Sequence, residues 1–473
     1  MRLYNSPDNQ LYLIIPIETK AREFHAKTLL SCFAAEAGFN VILGDQNEIH
    51  QHLRYLPRGI YIDKSIASTK IKSFKKTRNM GNRVVAWCEE GLTFRDRDTY
   101  LKERISIESF KLVDIFFSWG EVQADAIKMK VGKGNDKIIS TGNPRFDLLR
   151  HPYREIFSHE AEILRERYGR FILINSNFSR YNHFYGRDFV IKNLKEKGRI
   201  ETRDEEAFFV KWADFLGEMY HHFIKMTRYL SELFPDYTII LRPHPSENQE
   251  TWKEQTKDLR NVRIIYEGNV IPWILASRVM IHNSCTTGVE AFILDAPVIC
   301  YAPITSETFD SELPNAICRK AYNEPDLADL LEKALADPSG FVLHDHEDLA
   351  VKSLVEEYIK GLYGPTACEN IISALRDLAV MYPWTGSRSH QMPLGGVGMK
   401  VQSFIYSVKP VLRRIIKGPT GGSGYLKQKF PGLSIEEARQ SIDIFRELTG
   451  RFTSVEVQAV PSTSSCFLIS RGK

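Results

Sequence analysis

Two short polar clusters in this sequence have the residue types of a phosphate site: Arg242-Pro243-His244-Pro245-Ser246-Glu247 and His282-Asn283-Ser284-Cys285-Thr286-Thr287-Gly288. His244 lies between two prolines, which stiffen its backbone and largely fix its ring position. Its charge changes near neutral pH, so it can donate a hydrogen bond to a phosphate or act as general acid for a leaving group. The plainer reading is a turn histidine bound to a nearby carbonyl; Arg242 and Glu247 beside it weigh against that. The second cluster opens a helical pattern over 289–294. The free N–H groups of a helix N-terminus, with the hydroxyls of Ser284, Thr286 and Thr287, form an anion site. Capping by Ser284 or Thr286 uses the same groups and is compatible with it. His282 and Asn283 are expected to belong to the same donor site. Glu290, one turn further in, either reaches a ribose hydroxyl or is a surface glutamate.

Other residues suit other roles. Trp87-Cys88-Glu89-Glu90-Gly91 places paired carboxylates after an apolar run, with a glycine that permits a tight turn. Like charges held close raise one pKa toward neutrality, which suits a general base, although a solvated acidic turn has the same composition. Arg22-Glu23 reads as a structural pair opening a helix. The polar stretch 175–183 offers Asn175 and Ser176 as ligands for a donor sugar or phosphate, or is a plain solvated loop.

The elements that must position these residues alternate strand and helix. Apolar runs at 11–17, 40–43, 59–62, 84–88, 113–118 and 137–140 are interleaved with helical stretches at 22–37, 66–79 and 122–129, which implies βαβ crossovers and a mostly parallel sheet. A second series begins at 171–174 and continues through 237–241, 262–265, 279–281 and 298–300, with a long helical stretch at 204–233. Both polar clusters directly follow apolar runs of this series. In such sheets ligands sit outside the carboxyl ends of the strands. The chain is therefore expected to be α/β, with two Rossmann-like domains: 1–155 for an acceptor and 156–380 for a nucleotide donor, including crossing helices. No GxGxxG supports a dinucleotide, and no cofactor is expected.

A third region, 381–473, reads as a Pro- and Gly-rich linker followed by a basic helical tail. From 378 to 435 there is no Asp or Glu, while Lys400, Lys409, Arg413, Arg414 and Lys417 accompany apolar residues at helical spacing. The segment 400–417 fits peripheral attachment to an anionic inner membrane or, equally, a helix packed on the protein with a solvated basic face. Ser434 and Glu437 make a capping box for a helix over 434–449, and the Ser-rich end, 460–473, is expected to fray.

The 473 residues exceed what one core usually supports, and an apolar fraction of 43% places the chain among soluble globular proteins. No run of about 18 apolar residues suggests a membrane span, and the polar start does not read as a signal peptide. The seven cysteines are scattered without CxxC spacing, which favours a reducing cytoplasm over disulfides or zinc. A net charge of +4 does not indicate nucleic acid.

Taken together, the motifs resemble glycosyltransferases of the GT-B type. An acidic-acidic-glycine motif, a His-Pro motif and a Ser/Thr cluster are similar to those of bacterial sialyltransferases and polysialyltransferases, and of transferases of the keto-sugar Kdo. That resemblance implies Glu89 or Glu90 as the base that activates an acceptor hydroxyl. It implies His244 as phosphate ligand or acid, and Ser284, Thr286 and Thr287 as further ligands of a CMP donor's phosphate. Cys285 departs from the pattern, standing where a second serine is expected. The segments 17–23 and 141–147 also look like those of surface carbohydrate biosynthesis proteins, distant relatives of CDP-glycerol glycerophosphotransferases. Thr141-Gly142-Asn143-Pro144 is similar to a segment of UDP-GlcNAc 2-epimerases. The resemblance spans about residues 10–380.

The expected function is metal-independent transfer of a sugar from a nucleotide-sugar donor, with a CMP-linked keto-acid sugar favoured, to a surface polysaccharide or lipid-linked glycan. The alternatives are transfer of a polyol phosphate from a CDP-activated donor, epimerisation of a UDP-sugar, and an inactive scaffold.

Overall fold

The computed structural model describes residues 10–92, 94, 97–132, 135–342, 349–381 and 430–472. These described residues form two compact units, one drawn from 10–91, 104–156 and, after the second unit, 359–381 and 430–472, the other from 92–103 and 157–358. Each is an α/β unit built on a Rossmann-like sheet.

In the first unit, β1 (Leu11–Ile17), β2 (Phe39–Asp45), β3 (Ile60–Asp63), β4 (Arg83–Ala86), β5 (Ile115–Ser118) and β6 (Ile138–Ser140) pair in parallel in the order β2-β1-β3-β4-β5-β6. Leu13, Ile14, Ile15, Val41, Ile42, Leu43, Val84 and Val85 are fully buried, as continuous apolar strands covered on both faces must be. The order reverses between β1 and β3, so the crevice of this sheet opens where their carboxyl ends part.

The end of the chain is not frayed. β13 (Val455–Ala459) and β14 (Cys466–Arg471) form an antiparallel hairpin, and β14 adds antiparallel to β2, making an eight-stranded sheet. Glycine at 44 is what admits it: a Cβ there would lie 2.3 Å from the Ser465 carbonyl oxygen. The helix Ile435–Thr449 carries the expected capping box of Ser434 and Glu437. It lies on the helix Lys20–Glu36 through Lys20–Glu437 (2.5 Å) and His25–Ser441 (3.1 Å). Residues 430–472 thus complete the first sheet instead of forming a separate tail. The basic segment 400–417 and the linker before it lie outside the described residues.

Thr141-Gly142-Asn143-Pro144 has a tertiary role in this unit. It leads into the short helix Pro144–Asp147, with Asn143 Oδ1 accepting the Arg145 N–H at 3.0 Å. Gly142 has φ +83°, and a Cβ there would fall 1.9 Å from the Lys360 carbonyl oxygen. Buried Asp147 accepts the N–H groups of Ala367 and Cys368, both at 2.8 Å, which caps the helix Ala367–Met381. The motif is therefore where the returning chain docks.

In the second unit, β7 (Phe171–Asn175), β8 (Thr238–Arg242), β9 (Val262–Ile264), β10 (Val279–His282), β11 (Val298–Tyr301) and β12 (Arg319–Ala321) form a parallel sheet in the order β12-β11-β10-β7-β8-β9. Counted within the unit this is the 3-2-1-4-5-6 order of a Rossmann sheet, read from its far edge. The reversal falls between β7 and β10. The 31-residue helix Arg203–Leu233 packs Phe209, Trp212, Phe223 and Leu230 into the core beside Phe178 and Trp252.

Candidate functional site

Each unit carries its expected motif at the carboxyl edge of its sheet. In the first unit, Glu23 is buried at the start of the helix after β1 and accepts the N–H groups of Glu18 and Thr19, both at 3.1 Å. Lys27 and Lys64 bind it at 2.7 and 3.4 Å. Burial alone would raise its pKa, but the two ammonium groups hold the carboxyl well below the usual range. Lys64, at the end of β3, also binds Glu18 at 2.8 Å, so this ion network joins the two strands at the reversal. Glu23 ties down the turn, as a structural pair would.

Glu89 and Glu90 differ in environment. Glu89 is buried; its Oε1 accepts the Trp87 indole N–H at 2.8 Å, and its buried Oε2 accepts no hydrogen bond. Glu90 is exposed and meets Arg22 Nη1 at 3.4 Å. Desolvation pushes its pKa up, but Arg22, Arg104 and Arg145 outweigh it and hold the carboxyl below its ordinary value. The raised pKa expected of paired carboxylates is therefore not found at Glu90, because the three arginines outweigh desolvation. Glu89, Glu90 and Glu23 in turn raise the Arg22 pKa against the effect of burial. Gly91 provides space more than turn geometry: a Cβ would lie 2.0 Å from Gln123 Nε2.

In the second unit, β7, β8 and β10 bring together three polar segments that lie far apart in sequence. Glu247, expected as a ligand, is buried and accepts four hydrogen bonds. Oε1 takes Ser176 Oγ (2.9 Å), the Phe178 N–H (2.9 Å) and the His244 N–H (3.2 Å), while Oε2 takes the Trp252 indole (2.8 Å). Burial raises its pKa against those bonds. Its oxygens hold three loops together, and Ser176 spends its hydroxyl on it. Asn175 Nδ2 donates to Met280 Sδ at 3.1 Å, leaving Oδ1 buried without a partner.

His244 is half-buried. Its Nδ1 accepts the Ser246 N–H at 3.2 Å, so Nε2 carries the proton in the neutral ring. Arg242 donates to the carbonyls of Glu267 (3.1 Å) and Gly268 (2.7 Å) and stacks 4.9 Å from the Tyr266 ring, while its buried Nε has no partner. Burial lowers its pKa, against the electrostatic pull of Tyr266, Glu290, Cys285 and Glu267. Glu290 is thus a buried neighbour of this guanidinium, not a surface residue.

The cluster after β10 divides by depth. His282 is fully buried, with Nε2 3.3 Å from Cys318 Sγ and Nδ1 unpartnered, and burial lowers its pKa to about 3. The ring is closed off from solvent, so in this structure it belongs to the interior and not to the outward face of the cluster. Asn283 is turned inward as well, donating to the Tyr301 carbonyl at 3.0 Å. Ser284 adopts φ +47°, a conformation costly for a residue with a Cβ. Its Oγ bonds Asp310 (3.1 Å), the Ser311 N–H (3.1 Å) and Asn315 Nδ2 (3.0 Å), so the hydroxyl is committed within the protein. The helix Thr286–Ile293 opens with Cys285 as N-cap and no side-chain cap; Thr286 is exposed, and Thr287 bonds Cys285 Sγ at 3.1 Å. Asn177 Nδ2 joins the edges of β7 and β10 by donating to the Ser284 carbonyl at 3.3 Å.

What faces outward after β10 is therefore Thr286, Thr287 and the first turn of their helix, while half-buried His244 follows β8, on the other side of β7. Sequence reasoning missed Asp310 and Asn315, which hold the Ser284 turn from 26 and 31 residues away. Nothing local marks them. A separate apolar pocket of about 10 Å³ lies at the other end of the same helix, lined by Phe292, Ala296, Val298, Ile317, Phe341 and Val342, and offers no polar side chain for such chemistry. Among the described residues no group of His, Cys, Asp and Glu could hold a metal ion, and no helix is long and apolar enough to cross a membrane.

No family model matches the chain, and no curated protein matches it. Solved structures resemble it at low identity. UDP-GlcNAc 2-epimerase from Methanocaldococcus jannaschii aligns at TM-score 0.41 and 13% identity, over 73% of this chain and 99% of that one. MnaA of S. aureus, solved with UDP, aligns at 0.42 and 14%, over 80% and 99%. The wall teichoic acid polymerase TagF aligns at 0.48 and 10%, over 79% and 89%. Likeness at this level says nothing about substrate.

Proposed function

We propose that this protein is a GT-B type transferase that takes a sugar from a nucleotide-activated donor, with the donor's phosphate held at the β7/β10 reversal of the second unit. The observation that carries this reading is Arg242: a buried guanidinium with an unpartnered Nε, within electrostatic reach of Cys285 at the N-cap of the Thr286 helix. A buried donor without a partner costs about 1–3 kcal/mol, and a cation beside a helix N-terminus is stabilised by an anion. In this reading a phosphate supplies that anion at the helix N-terminus, alongside the buried Glu290 carboxylate.

In this reading Thr286, Thr287 and the N–H groups of their helix bind the phosphate, and His244 donates from Nε2 to it or to the leaving oxygen. Glu247, Ser284, Ser176 and Asn283 act as positioning residues. Glu90, which is exposed, or Glu89, whose Oε2 is unpartnered, serves as the base that deprotonates the acceptor hydroxyl. The charge developing on the departing phosphate is met by Arg242, His244 and the helix N-terminus, so the reading invokes no divalent ion. The donor is a CMP-linked keto-acid sugar and the acceptor a surface polysaccharide or lipid-linked glycan at the cytoplasmic face of the inner membrane.

Thermal shift and calorimetric titration with CMP, CDP and UDP test the donor site, followed by CMP release from candidate donors. Release of CMP by wild type and its loss in His244→Ala support the assignment; normal turnover by His244→Ala sinks the role of that histidine. An acceptor that gains phosphate points instead to a CDP-polyol donor. Turnover of a UDP-sugar without acceptor points to an epimerase, and binding without turnover to a scaffold.

A further inference from the structure

Beside the His244 loop stands a group of aromatic rings that the donor site does not use. Phe184 and Tyr185 are 63% and 69% exposed, and Phe189 is 38% exposed. Ring centroids of Phe184–Tyr185, Tyr185–Phe189 and His183–Phe189 lie 5.1, 4.9 and 5.1 Å apart, and His183–Tyr185 are 5.8 Å apart. The group is held in place: the Phe184 N–H donates to the Ser246 carbonyl at 2.9 Å, the backbone of His183 pairs with that of Glu247 in an isolated antiparallel bridge, and the Tyr185 N–H donates to His183 Nδ1 at 3.1 Å. Four rings joined in one cluster through Tyr185, two of them mostly in water, are an unfavourable surface unless something covers them.

We propose that His183, Phe184, Tyr185 and Phe189 form a stacking platform for the pyranose rings of a carbohydrate chain, placed so that the chain passes the His244 loop. The occupant follows from the surface. Small-molecule sites are concave and bury most of their ligand, whereas Phe184 and Tyr185 project, which suits an extended chain better than a nucleobase. A membrane contact would need unpaired cations around the rings. The cations of the helix that carries Phe189 instead each have a carboxylate partner: Arg187 with Asp214 (2.7 Å), Lys192 with Glu196 (4.0 Å) and Lys195 with Glu206 (2.6 Å). Sugar rings carry apolar C–H faces that pack on aromatic faces, with hydroxyls left for the edges of His183 and Tyr185. The assignment of the chain as acceptor rests on the transferase reading; the platform itself does not.

The test compares full-length wild type with Phe184→Ala/Tyr185→Ala on a microarray of bacterial oligo- and polysaccharides. Nucleotide affinity (CMP, CDP, UDP) and co-sedimentation with phosphatidylcholine/phosphatidylglycerol vesicles are measured in parallel. The expected result is at least tenfold weaker glycan retention by the variant, with thermal midpoint and nucleotide affinity unchanged. Equal retention, or no glycan that separates the two proteins, overturns the platform, as does a variant that loses vesicle binding instead. Glycan retention without any nucleotide binding by wild type leaves the platform standing and removes the donor-site reading.

Discussion

Glu247 Oε1 accepts the backbone N–H of His244 at 3.2 Å, while the same carboxylate binds Ser176, Phe178 and Trp252. The glutamate thus sets where the histidine ring stands. Glu247→Gln replaces one acceptor oxygen with an NH₂ among four donors, leaving at least one buried donor unpaired. The expected cost is about 1–3 kcal/mol of stability, read by denaturant titration, together with weaker nucleotide binding. A variant as stable as wild type would show that these bonds do not order the loop.

His282 titrates far below its ordinary value, to about 3, because burial penalises the imidazolium. Between pH 6.5 and about 3 the unfolded chain binds the extra proton and the folded chain does not, so this residue makes stability rise with pH and fall on acidification. His282→Leu removes that proton. Its thermal midpoint should fall less than that of wild type between pH 7.5 and 5, and parallel curves would refute the assignment.

Arg22 is one of three arginines that hold the Glu90 carboxyl below its usual pKa. If Glu90 is the base, the acid limb of kcat/KM lies below the ordinary carboxylate range, and Arg22→Ala moves that limb to higher pH. Glu90→Gln should abolish turnover while keeping nucleotide affinity. An acid limb unmoved by Arg22→Ala would transfer the role to Glu89.

Gly44 lies under the hairpin, where a Cβ would meet Ser465 O at 2.3 Å and Cys466 Cα at 2.6 Å. Gly44→Val should prevent β14 from pairing with β2 and leave an apolar edge strand open. A lower thermal midpoint and concentration-dependent aggregation are expected, with faster amide exchange over 455–471. Exchange as slow as in wild type would mean that the hairpin tolerates the side chain.

Much of this architecture is legible in the residues. Apolar runs such as Leu11–Ile17 and Phe171–Asn175 are covered on both faces in a parallel sheet, and the polar clusters follow their strands because backbone leaving a sheet needs polar company. The capping box at Ser434 and Glu437 is local chemistry and needed no fold to be seen. The hairpin was missed for the opposite reason: its partner, β2, lies over 400 residues earlier, and only a glycine there makes the pairing possible.

The sequence by itself determined that Arg242–Glu247 and His282–Gly288 close strands of one α/β unit, since strand periodicity and turn residues act over a few positions. Only the tertiary structure decided which members face outward. Setting β10 beside β7 sinks His282 to full burial and turns Asn283 to Tyr301, and it brings Asp310 and Asn315 onto Ser284. It also commits Glu247 to four internal donors, and leaves Thr286 outside as the first turn of a helix beside a buried arginine. The physical reason is partnership at a distance. Whether a polar group binds a ligand or holds the fold depends on donors and acceptors tens of residues away, which no local pattern records.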